Sequence, residues 1–178
     1  RTLPKIQIEA GRDFDFTNAY PRKAFDVQSL QWDLNYFKYY FLKLADIPFN
    51  EQELENDFEV LKDYLLNCDC NHLLYRDFQS RNIMIKDNYE IFFIDFQGAR
   101  KGALQYDIAS LLYDAKANLS PEIREKLLNI YVEEVKKYFK IKEEDFVQHF
   151  YAYVYIRIMQ AMGSYGYRGY FQKKEHFL

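Results

Sequence analysis

The fold of this chain is decided by the stretch Tyr75-Arg76-Asp77-Phe78-Gln79-Ser80-Arg81-Asn82-Ile83-Met84-Ile85 and by the run that follows it, Ile91-Phe92-Phe93-Ile94-Asp95-Phe96-Gln97-Gly98. An Asp and an Asn with four residues between them lead into an apolar run, and a second apolar run ends at another Asp. A hydroxyl that attacks a phosphoryl group needs a carboxylate to orient it and accept its proton, and the phosphates need a divalent cation held by oxygen ligands. The pattern therefore predicts phosphoryl transfer, with Asp77 as the carboxylate that orients and deprotonates the hydroxyl and with Asn82 and Asp95 as metal ligands.

The spacing of these residues also predicts a β-hairpin. Residues 73–75 and 82–85 have the composition of short strands on either side of a loop, residues 90–94 form the next apolar run, and Asp87-Asn88 is a turn signal. A tight hairpin returns the chain, so that Asp95 leaves its strand close to where the previous strand begins. We therefore expect the two oxygen ligands to converge on one cation.

These residues resemble the catalytic and metal-binding loops of the protein-kinase-like superfamily. Three segments are similar to its aminoglycoside phosphotransferase and sugar-kinase branch: residues 76–82, residues 94–99, and Gly102 followed by residues 106–112. Their motifs most resemble those of bacterial kinases of amino sugars such as N-acetylmuramate and N-acetylglucosamine. The resemblance spans roughly residues 20 to 170 by motif order. It implies an α+β, mostly helical fold, namely a kinase-like C-terminal lobe with a small β-hairpin insertion, and it implies Mg²⁺ and ATP as co-substrate.

The resemblance also implies supporting roles around the loop. Arg76 and Gln79 would support its shape, and Asp107 would accept hydrogen bonds from its backbone, because a buried carboxylate needs such donors to offset its desolvation. An exposed Asp near a helix start is the alternative, since the helix dipole favours it there. Taken singly, Asp77, Asn82 and Asp95 are equally compatible with turn and strand-end positions; their order along the chain favours the functional interpretation.

The chain departs from the family pattern in two respects. Tyr75 stands where the superfamily usually has His, so the loop is expected to pack differently. The six glycines form no phosphate-binding loop, and no strand Lys with a helix Glu precedes the loop. The chain also begins with Arg1 rather than Met. We therefore expect that residues 1–178 are the C-terminal lobe and that the nucleotide-binding lobe lies upstream in the same polypeptide. We expect the C-terminal lobe alone to be inactive.

Composition narrows the class of protein. The chain has 178 residues, of which 49% are hydrophobic and 29% charged, which is typical of one soluble globular domain. A net charge of −3 without a long basic run argues against a nucleic-acid partner, and the absence of a long apolar stretch or signal peptide argues against a membrane, so a cytoplasmic location is expected. Aromatic residues make up 19% of the chain, and we expect them to fill the core rather than form a ligand platform.

Helical patterns account for most of the remaining sequence. Apolar residues recur at helical spacing from Ser29 to just before Pro48, which predicts a first long helix. Asn50 is predicted to cap a second helix, and Ser120 a third helix with Pro121 in its first turn. Residues 143–162 are predicted to form a last long helix. Residues 1–28 are expected to be a connecting segment, in which residues 3–9 alternate like a strand, and residues 163–178 a turn and tail. The face of the helix that starts at Ser120 is predicted to carry Ile123, Leu127, Ile130 and Tyr138.

A groove for a sugar ring is predicted on the first long helix. Trp32, Asp33 and Tyr36 fall beside its main apolar stripe, where aromatic rings could stack on a sugar and the carboxylate could accept hydroxyl hydrogen bonds. The alternative is an ordinary half-buried helix edge.

The function expected for the full-length protein is transfer of the γ-phosphoryl group of a nucleoside triphosphate to a hydroxyl of a small molecule, with a sugar or amino sugar as the leading acceptor. One alternative is a pseudokinase-like binding or regulatory module. A second alternative, metal-dependent hydrolysis of a phosphate ester, is disfavoured because such enzymes usually gather more acidic ligands around two metal ions.

Overall fold

The computed structural model of the protein describes residues 1–174 and residue 177. Helices dominate these residues, and the strands are short. In chain order the elements are α1 (Thr2–Lys5), α2 (Gly11–Asp13), α3 (Val27–Phe37), α4 (Glu51–Leu66), β1 (His72–Leu74), β2 (Ile83–Ile85), β3 (Ile91–Phe93), β4 (Arg100–Gly102), α5 (Leu104–Leu112), α6 (Pro121–Val135) and α7 (Glu143–Gly166). The predicted α+β, mostly helical fold is confirmed.

The helix starts follow their capping signals. The Asn50 side chain accepts hydrogen bonds from the backbone N–H groups of Gln52 and Glu53, at 3.0 and 3.2 Å. The Ser120 hydroxyl accepts one from Ile123 N at 3.4 Å, and Pro121 occupies the first turn, where no intrahelical N–H is needed. Both predicted helix starts are confirmed. They could be predicted because a capping side chain bonds to backbone groups only a few residues away.

Two small antiparallel sheets flank the loop of residues 75–82. The strands β2 and β3 form the predicted hairpin, with Ile83 opposite Phe93 and Ile85 opposite Ile91. The strand β1 pairs instead with β4, with His72 opposite Gly102. The sequence did not predict β4, because Arg-Lys-Gly has no apolar alternation. The 75–82 loop therefore leaves one sheet and enters the other.

The core lies around α7, which packs against α3, α4 and α5. The largest fully buried side chains are aromatic: Tyr106, Tyr131, Tyr153 and Phe150. Tyr and Phe therefore supply the largest core side chains, as expected, although other aromatic residues such as Tyr20, Tyr89 and Phe171 are exposed. Within residues 1–174 and 177, no helix has the length and apolar character that a bilayer crossing requires.

The N-terminal segment is helical, so the strand-like interpretation of residues 3–9 was wrong. The helices α1 and α2 are joined by a π-helical segment, Ile6–Ala10. The buried positions are Leu3, Pro4, Gln7 and Ile8, a spacing that places them on one helical face. A polar Gln on the buried face disguised this period in the sequence.

The end of the chain also differs from the prediction of a turn and tail over residues 163–178. The helix α7 continues to Gly166, and a π-helical segment extends it over Tyr167–Phe171; positions 175, 176 and 178 lie outside the described residues. A β-carbon on Gly166 would lie 1.8 Å from the carbonyl oxygen of Tyr40. Gly166 therefore permits close packing of the end of α7 against the helical segment Lys38–Leu42, and it does not form a turn.

The buried face of α6 is rotated from the predicted one. Ile123, predicted on that face, is 46% exposed. The buried positions are Leu128, Tyr131, Val132 and Val135. The prediction was wrong for Ile123, whereas Leu127 and Tyr138 are half-buried and pack against the core. Two neighbouring apolar stripes are present on this helix, and contacts with the rest of the fold select between them.

Candidate active site

Asp77, Asn82 and Asp95, the three residues singled out from the sequence, lie together. The Asn82 side-chain Nδ2 donates to the backbone oxygen of Asp77 at 2.8 Å and lies 3.4 Å from Oδ2 of Asp95. Asn82 is buried, whereas Asp95 is exposed. One amide thus contacts both segments of the motif.

The hairpin register explains this meeting. Asn82 ends a 3₁₀ turn, Ser80–Asn82, directly before β2, and Asp95 follows shortly after β3. Because Ile83 pairs with Phe93, the backbone N–H of Ile94 reaches the carbonyl oxygen of Asn82 at 3.1 Å. The pairing of the strands therefore fixes the separation of the two candidate metal ligands.

Two residues of the site have left-handed backbone conformations. Arg76 has a φ of 79° and Asp95 a φ of 71°. Non-glycine residues avoid this region because Cβ approaches the following carbonyl group. Such conformations persist only where the surroundings hold them, and they are concentrated at functional sites.

Asp107 on α5 holds the start of the 75–82 loop from below. Its carboxylate is fully buried and accepts hydrogen bonds from Tyr75 N at 2.7 Å, Arg76 N at 3.0 Å and the side chain of Gln7 at 2.9 Å. Burial raises the pKa of Asp107 to about 7, although these donors and the charge of Arg157 act in the opposite direction. The contact with the loop backbone that the family resemblance implied for Asp107 is present in the structure.

Gln7 is a site residue that sequence reasoning missed. Its side-chain amide, 0% exposed, donates to Asp107 and to the Leu104 carbonyl at 3.3 Å, and it accepts from the Tyr131 hydroxyl at 2.5 Å. No local signal marks a Gln on a helix as buried. The N-terminal segment is therefore part of the support of the loop and not only a connection.

Arg76 is anchored by Asp33, which the sequence placed in a substrate groove. The guanidinium makes two hydrogen bonds to the Asp33 carboxylate, at 3.0 and 2.8 Å, and also donates to the Tyr106 hydroxyl. It lies 4.8 Å from the ring centre of Phe25. Burial disfavours its charge, but the Asp33 carboxylate outweighs burial and raises the pKa of Arg76. Asp33 is thus occupied by the loop, as a bidentate partner of Arg76.

A cavity of 280 Å³ lies beside Asp77. Its walls come from the 75–82 loop, the segment after α5 and the end of α7: Asp77, Gln79, Arg81, Asp114, Lys116, Gln160, Ala161, Ser164, Tyr165, Arg168 and Phe177. None of the three predicted groove residues is among these described wall residues. Trp32 is 46% exposed with Arg22 over its ring, and Tyr36 packs against the rings of Tyr40 and Tyr167.

Tyr75, which departs from the pattern of the superfamily that the loop resembles, joins the loop to the end of β3. Its hydroxyl donates to the carbonyl oxygen of Ile94 at 2.7 Å, and its ring packs edge-on against Phe78. Burial, and then the charges of Asp95, Asp107 and Asp77, raises the pKa of Tyr75 to about 12. The hydroxyl therefore stays protonated and acts as a donor, and it ties the chain just before Asp95 to the loop.

Backbone contacts shape the rest of the loop. Gln79 N donates to the carbonyl oxygen of Asp77 at 2.9 Å, and Gln79 O accepts from Asn82 N at 3.0 Å. Asp114, which sequence reasoning also missed, accepts from the backbone N and the hydroxyl of Ser80 at 3.0 and 2.6 Å. Gln79 thus contributes to the loop through its backbone, whereas its side chain lines the cavity.

The donor set suits a hard cation that brings further ligands with it. Asn82 and Asp95 offer an amide and a carboxylate, and Mg²⁺ is commonly held by one or two protein oxygens together with phosphate and water. Among residues 1–174 and 177, no three His, Cys, Asp or Glu side chains form a group that could hold a metal. The residues present therefore fit Mg²⁺ accompanying a polyphosphate, rather than a site made wholly of protein ligands.

One comparison with known proteins identifies the family of this chain. A family model described as the phosphotransferase enzyme family, APH, matches residues 8–140. A search of curated proteins finds no match. The matched region contains the whole 75–82 loop, the hairpin, Asp95 and Asp107. This chain belongs to the phosphotransferase enzyme family.

Proposed function

We propose that, in its full-length protein, this chain transfers the γ-phosphoryl group of ATP to a hydroxyl of a small molecule, with a sugar or amino sugar as the leading acceptor. The observation that carries the proposal is the Asn82 side chain, which contacts both the backbone of Asp77 and the carboxylate of Asp95. A proton acceptor and a pair of oxygen ligands are thereby held in one fixed arrangement, which is what phosphoryl transfer requires of a protein.

In the proposed mechanism, Asp77 orients the acceptor hydroxyl and takes its proton as the oxygen attacks phosphorus. Asn82 and Asp95 would hold Mg²⁺, which when bound neutralises charge on the phosphates. Asn82 fixes the backbone of Asp77, and Asp107 and Arg76 hold the loop that carries it. The contribution of these residues is positioning and charge placement.

Exposed apolar side chains on the hairpin support an upstream nucleotide-binding lobe. Beside Asn82 and Asp95, the exposed apolar residues are Met84, Ile85, Ile91, Phe92, Ile94 and Phe96. A group of large exposed apolar side chains on one hairpin is typical of a binding surface. We propose that these residues contact the nucleotide base and the upstream lobe of the same polypeptide. We also propose that the 178-residue chain alone is inactive, because residues 1–174 and 177 include no phosphate-binding loop.

Replacement of Asp77 by Asn in the full-length protein tests the proposed base. We expect kcat to fall by at least about a hundredfold with little change in the KM for ATP, because a general base acts on the chemical step. Asp87→Asn, in the exposed hairpin turn, is the matched control. Steady-state kinetics with product detection is the measurement, and near-normal kcat in Asp77→Asn would refute the assignment.

Replacement of Asn82 by Ala tests the proposed metal ligand. The variant should need a higher magnesium concentration for half-maximal rate, and excess magnesium should restore part of the rate. An unchanged magnesium dependence would contradict the ligand assignment. Binding of Mg-ATP by the wild-type protein without product from any acceptor would favour the pseudokinase-like module instead.

A further inference from the structure

Two adjoining cavities meet beside Asp77. The outer cavity, described above, measures 280 Å³, and an inner cavity of 160 Å³ shares four wall residues with it: Gln79, Asp114, Ala161 and Tyr165. Asp77 lines the outer cavity, but the proposed metal ligands Asn82 and Asp95 line neither. An acceptor in these cavities would therefore contact Asp77 without contacting the proposed metal ligands.

The walls of the two cavities carry four cationic side chains. Arg81, Lys116 and Arg168 line the outer cavity and Arg157 lines the inner one. Among the described residues, none of these four forms a salt bridge, whereas Arg76 nearby is paired with Asp33.

Carboxylates at the same cavities offset only part of this positive charge. Asp77 and Asp114 are the acidic residues of the walls. The oxygens of Asp114 accept hydrogen bonds from the backbone and hydroxyl of Ser80 and from the backbone N of Lys116. Asp114 is therefore used to order the chain, and Asp77 is the proposed proton acceptor. The outer cavity has more positive than negative side chains in a protein whose net charge is −3.

The inner cavity presents polar atoms without partners. Ser110 and Arg157 line it and are 4% and 6% exposed. The Ser110 hydroxyl oxygen and Arg157 Nε are buried and make no hydrogen bond within the described part of the chain. Buried donors are normally satisfied. Oxygen atoms of a ligand bound in the inner cavity would be suitable hydrogen-bond partners for these two atoms.

We propose that the two cavities form the acceptor site and that the acceptor carries an anionic group, a carboxylate or a phosphate, in addition to the hydroxyl that is phosphorylated. The inference rests on the proposed function. The anionic group pairs with Arg81, Lys116 and Arg168, polar substituents reach Ser110 and Arg157 in the inner cavity, and the attacking hydroxyl lies at Asp77. Charge-assisted hydrogen bonds from guanidinium groups suit either anion.

Matched sugars test the charge requirement in the full-length protein. Glucose is the neutral probe, glucuronate carries a carboxylate, glucose 6-phosphate carries a phosphate, and the methyl ester of glucuronate restores neutrality at the same size. Calorimetry without nucleotide should show at least one anionic sugar binding about tenfold more tightly than glucose and the ester, with an affinity that falls as salt is added. The two anionic arms distinguish carboxylate from phosphate recognition. Equal affinities for charged and neutral sugars, or no binding of either anionic sugar, would overturn the inference.

Variants locate the effect. Arg168→Gln should weaken binding of the preferred anionic sugar by about tenfold and leave glucose binding unchanged. Lys126→Gln, which removes an exposed cation on α6 away from both cavities, is the matched control. Equal effects of the two substitutions would overturn the assignment of the site.

Phosphorylation assays with ATP separate this inference from the proposed function. Arg168-dependent binding of an anionic sugar without product would uphold the site and refute phosphoryl transfer. Product formed equally well from charged and neutral acceptors would uphold phosphoryl transfer and refute the anionic acceptor.

Discussion

Replacement of Asp107 by Asn tests which of two opposing effects governs the buried carboxyl group under the 75–82 loop. Burial disfavours the carboxylate, whereas three N–H donors and the charge of Arg157 favour it. Burial prevails and raises the pKa from 3.8 to about 7. The folded state therefore binds this proton more tightly than the unfolded state between these two pH values.

The sign of the pH effect follows. Stability contributed by this carboxyl group is fully present below about pH 4 and is lost as pH rises through about 7. Between pH 5 and pH 8 the loss amounts to about 2–3 kcal/mol. Because Asn does not titrate, the free energy of unfolding of Asp107→Asn relative to wild type should rise by this amount over the same interval.

Urea unfolding of both proteins at pH 5 and pH 8 measures the difference. Asp87→Asn, at the exposed turn, accounts for the general effect of removing one negative charge. A relative stability that stays constant with pH, or that moves in the opposite direction, would show that the hydrogen-bond donors outweigh burial, and the reasoning would be wrong.

Activity should respond differently to the same substitution. An Asn side chain offers one acceptor oxygen in place of two, so one of the N–H donors at Tyr75 and Arg76 loses its partner. A hydrogen bond to a charged group contributes about 1.5–3 kcal/mol. Its loss would destabilise the left-handed backbone conformation of Arg76, which has a φ of 79°. We expect kcat of the full-length variant at pH 8 to fall by about tenfold or more. For the same reason, wild-type kcat should fall as Asp107 is protonated below about pH 7.

Two further substitutions test packing and the join between loop and hairpin. Gly166→Ala should lower the free energy of unfolding in urea by at least about 2 kcal/mol, because its β-carbon would lie 1.8 Å from the Tyr40 carbonyl oxygen. Ser164→Ala on the same helix is the control. Equal free energies of unfolding for the two variants would contradict the close packing at Gly166. Tyr75→Phe should cost about 1 kcal/mol and raise the magnesium concentration needed for half-maximal rate, since its hydroxyl holds the carbonyl of Ile94 beside Asp95. Tyr89→Phe, 87% exposed in the hairpin turn, should change neither quantity.

Local signals explain what could be predicted. The caps at Asn50 and Ser120, the hairpin and the order of Asp77, Asn82 and Asp95 all depend on residues a few positions apart. Hydrogen bonds in caps and turns form between neighbours in sequence, so their residue types leave a readable pattern. The motif loop was therefore predictable before any tertiary contact was known.

Long-range contacts explain what could not be predicted. Gln7 and Asp107 are separated by 100 residues, and Asp33 and Arg76 by 43. Nothing around Gln7 marks it as buried, and nothing around Asp33 distinguishes an arginine partner from a sugar hydroxyl. The glycine at 166 is equally typical of a turn and of close helix packing, and only the approach of Tyr40 decides between them.

The amino-acid sequence alone predicted the class of fold and the candidate site residues Asp77, Asn82 and Asp95, because motif spacing and helix caps are local properties. The tertiary structure decided which residues support the loop, which face of α6 is buried and which cations line the cavity beside Asp77. Those outcomes depend on desolvation and on packing between distant segments, and these energies arise only when the chain is folded.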